Sequence, residues 1–336
     1  MPDLPLNREV KYWWVNQNQT FRQETEGGYL WSPKRNIGGQ YNQFYENMRG
    51  IAPGDVVYSF CDTKIKAIGI AQSYAFSFPK PEEFGNIGPN WHPTAGWKVL
   101  VRFFNLESQI TPAEHISVLR PLLPTEYSPL QATGRGNQVY LAAISEDFGK
   151  VLAGIIGPEA TNLFPNQPVM ADVASLAVAD DRKGLEEWEE KLQEQITGDG
   201  RIQVTEKEAL IKSRRGQGLY RQRLMKVEKC CRITKVDNPI HLIGSHIKPW
   251  RESNNDERLD GENGLLLTPT MDHLFDRGFI SFRDNGDLAV SPVADKYSLT
   301  KMGVNCETGI NVGVFNRQQQ RYMEFHRDSI FLKATR

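Results

Sequence analysis

The sequence predicts an α+β protein of two domains, a small curved β-sheet or barrel followed by a strand–loop–strand–helix domain. Three observations predict this organisation. The chain has 336 residues, and single hydrophobic cores rarely grow past about 250–300 residues. Aromatic residues concentrate near the start, since residues 10–104 hold 19 of the 34 in the chain. The charge also changes sign between residues 180–199 and residues 201–235.

The composition excludes several classes of protein. The 40 Lys and Arg residues nearly balance the 41 Asp and Glu residues, so the net charge of −1 excludes a strongly basic coat protein but not a basic face. The four cysteines contain no C-x-x-C pair, so neither a disulfide scaffold nor a zinc ribbon is expected. No apolar run is long enough for a membrane helix, and MPDLPLNREV lacks a signal-peptide core. We therefore expect a cytoplasmic protein without a membrane segment.

Short apolar runs alternate with Gly, Pro and Asn turns in the first domain, which is the pattern of a small, curved sheet. Residues 40–50 are predicted to form a helix, because Tyr41, Phe44 and Met48 follow helical spacing and Gly50 ends the pattern. The predicted strands are residues 12–15, 55–60, 66–76 and 97–104.

A proline-rich connector that begins at residue 158 and the charge pattern after it predict the domain boundaries, with a first domain at 1–156, a linker at 157–200 and a second domain at 201–336. Residues 180–199 carry eight acids and three bases, and we interpret them as a solvated linker helix. Residues 201–235 carry eleven bases and three acids, which suits contact with a phosphate backbone. The candidate backbone contacts are Arg214, Arg215, Arg221 and Lys248.

Residues 229–283 contain the pattern that predicts chemistry. HLIGSHI and NGLLL are short strand patterns separated by a polar loop, and a Thr-Pro pair then begins a predicted helix. Asp272 and Asp276 share one face of this helix, and His246 could face them from the first strand. Phosphodiester hydrolysis needs a base that activates water and a divalent cation, and these three side chains could supply the base and the ligands.

This stretch resembles the HNH, or ββα-metal, nuclease family. The similar motifs are C-x-x-T, S-H-I-K-P-W, N-G-L-L-L and D-x-L-F-D-x-G, which begin at Cys231, Ser245, Asn263 and Asp272. The resemblance implies that His246 is the catalytic general base and that Asn263 orients the loop and the base. It also implies that Asp272 and Asp276 are the metal ligands.

The chain departs from the family pattern at two positions. Ser245 stands where many members have Asp or His, and Asp272 stands where the final histidine is expected. His273 is an alternative ligand, but it would point about 100° away on the helix, so we prefer Asp272. A site rich in oxygen atoms suits Mg or Mn as the divalent metal cofactor better than zinc.

Residues 10–155 resemble the EVE family, a PUA-like barrel related to the YTH readers of modified bases. The similar pieces are Y-W-W-V-N at 12–16, Trp31, G-D-V-V-Y at 54–58 and I-G-I-A at 68–71. The resemblance implies a pocket for a flipped base, with aromatic rings on its faces and polar groups at its edge. The competing interpretation is that these aromatics build the barrel core. The candidate pocket residues are Asn16, Trp31, Tyr41, Ser59 and Phe60.

The two resemblances together imply a PUA-like (EVE) β-barrel domain followed by an HNH ββα-metal domain, and a modification-dependent restriction endonuclease. Its expected substrate is double-stranded DNA that carries 5-methyl- or 5-hydroxymethylcytosine. A homodimer is expected, because one HNH site cuts one strand. Two alternatives remain open: a nuclease on modified RNA or structured DNA, and a non-catalytic binder of modified DNA.

Overall fold

The structure is a computed structural model that describes residues 9–91, 96–163, 182–306 and 309–333. It divides into two compact units, the first ending before residue 182 and the second spanning Arg182–Lys333. Much of the predicted linker, residues 164–181, lies outside the described residues. In the described ranges, no helix is both long and apolar enough to cross a membrane.

Seven strands form a mixed, curled sheet in the first unit. They are β1 (Tyr12–Asn16), β2 (Tyr29–Pro33), β3 (Val56–Cys61), β4 (Lys64–Ala71), β5 (Phe76–Phe78), β6 (Gly96–Ile110) and β7 (Leu141–Ile144). The strand order is β2-β6-β4-β3-β1-β7, and β5 pairs with β6. Strand β1 is parallel to β3, and the other pairs of this sheet are antiparallel. The single run predicted at 66–76 is thus divided between β4 and β5.

In the described part of the first unit, five helices accompany this sheet. They are α1 (Phe21–Gly27), α2 (Gln43–Glu46), α3 (Ile116–Leu119), α4 (Glu146–Ile156) and α5 (Pro158–Thr161). The helix predicted at 40–50 begins later, because Asn42 caps α2 by accepting a hydrogen bond from the backbone N of Phe44 at 2.9 Å. A 3₁₀ turn at Asn47–Gly50 completes it. Inside the unit, Trp14 packs on Phe60 with ring centroids 5.0 Å apart.

The second unit is built on a β-hairpin with a helix packed against it. Its strands are β8 (Ile243–His246), β9 (Gly264–Leu267), β10 (Ile280–Phe282) and β11 (Leu288–Val290). Its helices are α6 (Arg182–Gly198), α7 (Val204–Arg214), α8 (Gly218–Val227), α9 (Asn255–Leu259), α10 (Pro269–Asp276), α11 (Lys296–Lys301) and α12 (Arg317–Ser329). Strands β8 and β9 pair antiparallel, with His246 opposite Gly264. The predicted strand–loop–strand–helix order is therefore observed, with α9 added inside the loop.

The acidic helix α6 belongs to the second unit and packs against its other elements. Ile196 is buried in a cluster with Leu210 and Trp250, and Leu192 packs against the same cluster. This spacing gives α6 one apolar face, while its acids cover the other. The expectation of a solvated linker helix is thus wrong for α6. It was based on the many acidic residues of this segment and overlooked the apolar residues between them.

Candidate nuclease site and base-binding cavity

His246 ends strand β8 and lies between a tyrosine ring and a backbone carbonyl. Its imidazole is 9% exposed and stacks on Tyr220, with ring centroids 3.9 Å apart and planes 7° apart. Its Nε2 lies 3.0 Å from the carbonyl oxygen of Arg258. A carbonyl oxygen can only accept, so Nε2 carries the proton and Nδ1 keeps a lone pair. Nδ1 is therefore the atom that can take a proton from water.

Burial keeps the imidazole of His246 neutral. Loss of solvent lowers its pKa from 6.5 to about 4, and the negative charge of Asp276 opposes this shift. The ring is thus deprotonated at neutral pH, which is the form that a general base requires.

Asn263 holds the loop between β8 and β9. Its Oδ1 accepts a hydrogen bond from the backbone N of Lys248 at 2.8 Å, and its Nδ2 donates to the carbonyl oxygens of Lys248 and Glu257, each at 3.1 Å. The side chain is fully buried. Since the loop includes α9 and the Arg258 carbonyl, Asn263 positions the acceptor that orients His246.

Tyr220 of α8 contacts the candidate base and was missed by the sequence analysis. Besides stacking on His246, its hydroxyl lies within hydrogen-bond distance of the carbonyl oxygens of Ser245, at 3.1 Å, and Asn263, at 3.2 Å. A Cβ atom at position 264 would lie 2.4 Å from this hydroxyl, which explains the glycine after Asn263.

Asp272 and Asp276 lie one turn apart on α10, as predicted. Ser245 donates a hydrogen bond to Asp272, so this carboxylate faces β8. Burial and the charge of Asp276 raise the pKa of Asp272 to about 6. His273 is exposed on the same helix. Asp272, rather than His273, is therefore the side chain next to the strand that ends in His246.

The donor atoms of this site fit a hard divalent cation. The two carboxylates suit Mg²⁺ or Mn²⁺, and Mg²⁺ commonly takes one or two carboxylates together with water and phosphate oxygens. Among the described residues, no group of three or more His, Cys, Asp or Glu side chains converges closely enough to hold a metal. The protein would therefore supply only part of the coordination shell.

Arg251 connects the acidic helix to the candidate metal ligands. Its Nη1 lies 3.3 Å from Oε1 of Glu189 on α6 and 3.6 Å from Oδ1 of Asp276. Nε of Arg214 donates to the other oxygen of Glu189 at 2.9 Å. Neither Arg251 nor Glu189 was singled out from sequence, because their proximity depends on α6 folding back onto this unit.

Three of the four candidate phosphate contacts have partners within the protein. Arg214 pairs with Glu189, Lys248 Nζ lies 2.6 Å from Glu257 Oε2, and Arg221 donates to a backbone carbonyl at 2.8 Å. Arg215 is exposed after the end of α7. All four lie in the second unit.

The first unit contains a cavity of about 800 Å³. Among the candidate pocket residues, Asn16, Trp31 and Phe60 line it, whereas Tyr41 and Ser59 do not. Tyr41 is 49% exposed, and Ser59 is buried in a hydrogen bond with Gln17. The other aromatic lining residues are Tyr45, Trp91 and Tyr140.

Ser32 is a further lining residue that the sequence analysis missed. Its side chain is 1% exposed, and its hydroxyl makes no hydrogen bond with the described residues. A buried hydroxyl without a partner is costly, and a ligand in the cavity could satisfy it.

The buried carboxylate of Glu24 on α1 links several residues of the cavity wall by hydrogen bonds. Glu24 accepts hydrogen bonds from the Tyr140 hydroxyl at 2.5 Å and the Trp31 backbone N at 2.8 Å. Gln17 Nε2, at 2.5 Å, and the Thr20 hydroxyl, at 2.9 Å, donate to its other oxygen. Three of these four donors belong to residues that line the cavity. Glu24 therefore fixes the wall without lining it.

Comparison with known proteins supports the nuclease interpretation of the second unit. The family model described as HNH endonuclease matches residues 231–283, which include the β8–β9 hairpin and α10. The second unit therefore carries an HNH endonuclease domain, which supports a nuclease and implies DNA binding. HNH nucleases generally depend on divalent metals. No curated protein sequence matches the chain.

Solved structures give weaker likenesses. The YTH domain of Pho92 in complex with m6A has a TM-score of 0.30 at 13% identity and covers 46% of this chain and 91% of its own. A Pseudomonas putida protein scores 0.29 at 10% identity, with 44% and 99% covered. An Agrobacterium tumefaciens protein scores 0.28 at 13% identity, with 51% and 100% covered. At these scores the likenesses support no functional inference.

The burial of Glu24 predicts how the stability of the protein depends on pH. Burial raises the pKa of Glu24 from 4.5 to about 7, so between these values the folded protein holds a proton that the unfolded chain releases. The contribution of Glu24 to stability is complete below pH 4.5 and is lost as the pH rises through 7. From about pH 5.5 to about pH 8.5, wild type should lose about 2 kcal/mol of stability relative to Glu24→Gln.

Thermal or urea unfolding of the full chain across this pH range would measure the difference. Glu26→Gln is the matched control, because Glu26 lies on the same helix, is 67% exposed and should add no such slope. Parallel pH profiles for wild type and Glu24→Gln would contradict the prediction.

Proposed function

We propose that this protein is a modification-dependent DNA endonuclease, in which the first unit binds a flipped modified cytosine and the second unit hydrolyses the backbone. The observation that carries the proposal is the aromatic-lined cavity of about 800 Å³ in a chain that also has an HNH endonuclease domain. Such a combination restricts cleavage to DNA that the first unit retains.

Base binding is supported by the chemistry of the cavity. Aromatic side chains can stack on the faces of an extruded base, and polar groups at the wall can bond its edge. Trp31 and Phe60 are candidate stacking residues, and Asn16 and the Ser32 hydroxyl are candidate edge contacts. A methyl or hydroxymethyl group at position 5 would add apolar contact or one hydrogen bond.

The hydrolytic step is assigned to His246. Water attacks the phosphorus atom while Nδ1 of His246 accepts its proton, and the bond to the leaving oxygen breaks. The leaving oxygen takes a proton from solvent and the His246 imidazolium returns its proton to solvent, so one product end carries a phosphate and the other a hydroxyl. The Arg258 carbonyl holds the imidazole in the reactive tautomer, and stacking on Tyr220 fixes the plane of the ring.

Asp272 and Asp276 are the residues that would hold the divalent metal. The chemistry that such a cation supplies when bound is neutralisation of charge on the phosphate and the leaving oxygen. Ser245 orients Asp272 by its hydrogen bond. We also propose that two copies act together on duplex DNA, because one site cuts one strand.

Replacement of His246 should separate binding from cleavage. For His246→Ala, we expect cleavage to fall by about 10²–10⁴-fold, since the general base is lost, while DNA affinity stays within about twofold. The matched control is His241→Ala, because His241 is exposed before β8. Single-turnover cleavage and fluorescence anisotropy on the same duplex measure the two effects, and a variant that still cuts at the wild-type rate would remove His246 from its role.

Metal binding should depend on the α10 carboxylates. We expect Asp276→Asn to weaken Mn²⁺ binding at least about tenfold, because a neutral amide is a poorer ligand for a hard cation. Calorimetric titration with MnCl₂ measures this without requiring activity. The control is Asp237→Asn, an exposed acid in the same unit. Equal Mn²⁺ affinities for wild type and Asp276→Asn would contradict the assignment.

Cleavage should depend on the modification. On matched duplexes with one cytosine, 5-methylcytosine or 5-hydroxymethylcytosine, we expect a modified duplex to be cut at least about tenfold faster than the plain one. Equal cleavage of all three would defeat the reader proposal, and preferred cleavage of a modified RNA would replace DNA as the substrate.

Substitution of Ser32 tests whether the cavity binds the modified base. Ser32→Ala should weaken binding of the preferred modified duplex several-fold while the melting temperature is maintained, because the hydroxyl has no partner among the described residues. Ser117→Ala, at an exposed serine of the same unit, is the control.

A further inference from the structure

We infer that Tyr140 is a specificity-determining residue of the cavity, and that Glu24 holds its phenol oxygen as a hydrogen-bond acceptor that selects a base with an exocyclic amino group. The inference rests on the proposed function and deepens it, since it explains how the cavity would distinguish 5-methylcytosine from thymine.

The hydrogen bonds that Tyr140 already makes leave its hydroxyl able to accept one more. Its hydroxyl donates its proton to Glu24 Oε1 at 2.5 Å. Its oxygen accepts from the backbone N of Trp31 at 3.0 Å, a donor that it shares with Glu24. A phenol has one proton and two lone pairs, so a single lone pair remains. Tyr140 lines the cavity, so a ligand group that reaches its oxygen would meet an acceptor rather than a donor.

Glu24 keeps the Tyr140 proton in place. When ionised, this carboxylate is only an acceptor, and all four of its neighbours donate to it. A hydrogen bond to an ionised acceptor is about twice as strong as one between neutral groups. Turning the Tyr140 proton toward the cavity would break such a bond and leave a buried charge less well satisfied. Glu24, which does not itself line the cavity, therefore sets the direction of the Tyr140 hydroxyl.

This polarity distinguishes two bases that share the same methyl group. The 4-amino group of 5-methylcytosine is a donor and can bond the remaining lone pair of Tyr140. Thymine presents a carbonyl oxygen at the same position, and two acceptors facing each other leave both unsatisfied. A site built for a donor rejects an analogue that lacks it much more strongly than an apolar site does.

The test is a comparison of affinities for 5-methylcytosine and thymine in otherwise identical duplexes. Each base stands opposite an abasic site, so that loss of pairing contributes equally to both measurements. The full chain is used at about pH 8 with a chelator, so that Glu24 is ionised and no cleavage occurs. Wild type should bind the 5-methylcytosine duplex at least about tenfold more tightly than the thymine duplex.

Three variants separate the contributions of the residues. Tyr140→Phe removes the acceptor, so the affinity ratio should fall to about threefold or less. Glu24→Gln should give an intermediate ratio, because a neutral amide holds the Tyr140 proton less firmly. Glu26→Gln removes an exposed charge from the same helix and should keep the wild-type ratio. If Glu24→Gln does not fold, Tyr140→Phe still decides the role of Tyr140.

Failure of the inference can be distinguished from failure of the proposed function. If wild type binds 5-methylcytosine and unmodified cytosine equally, the reader function itself is wrong. If it prefers 5-methylcytosine over cytosine but Tyr140→Phe keeps the full preference over thymine, only the role of Tyr140 is overturned. A ratio that Tyr140→Phe abolishes and Glu24→Gln leaves intact would overturn the role of Glu24.

Discussion

The candidate nuclease site depends on the hydrogen bonds of one buried side chain. Asn263 uses both ends of its amide to hold the backbone of the loop that joins β8 to β9. That loop carries the Arg258 carbonyl, which decides the nitrogen of His246 that keeps a lone pair. Because buried polar groups without partners cost about 1–3 kcal/mol each, loss of the Asn263 amide would affect several loop groups together. The tautomer of the candidate base thus depends on a hydrogen-bonding residue that comes just before the neighbouring strand.

In the first unit, a buried carboxylate has the role that the Asn263 amide has in the second. Burying a carboxylate is costly unless donors surround it, and Glu24 has four. The donors come from distant parts of the chain, before α1, in β2 and before β7, so one side chain ties these segments together. In both units, a buried polar group sets the geometry of the side chains that are proposed to act in hydrolysis or in base binding.

Ion pairs inside the second unit neutralise part of the charge of the acidic and basic segments. The acidic helix α6 and the basic segment after it neutralise each other at Glu189, which contacts both Arg214 and Arg251. A bound phosphate would compete with Glu189 for Arg214. The side chains of Arg214 and Glu189 are only 18% and 20% exposed. A basic run in the sequence therefore indicates candidate phosphate contacts, and the ion pairs of the folded protein decide what a phosphate would have to displace.

Sequence alone determined the strand–loop–strand–helix order around His246 and the aromatic sheet before it, because local patterns encode turns, caps and apolar faces. It also placed Asp272 and Asp276 on one helical face, since their spacing is that of one turn. Tertiary structure alone decided that Tyr220 stacks on His246, that Ser59 and Tyr41 lie outside the cavity lining, and that Glu24 joins Trp31 to Tyr140. These are contacts between residues far apart in the chain, and their partners depend on how strands pair and helices pack, which no local pattern specifies.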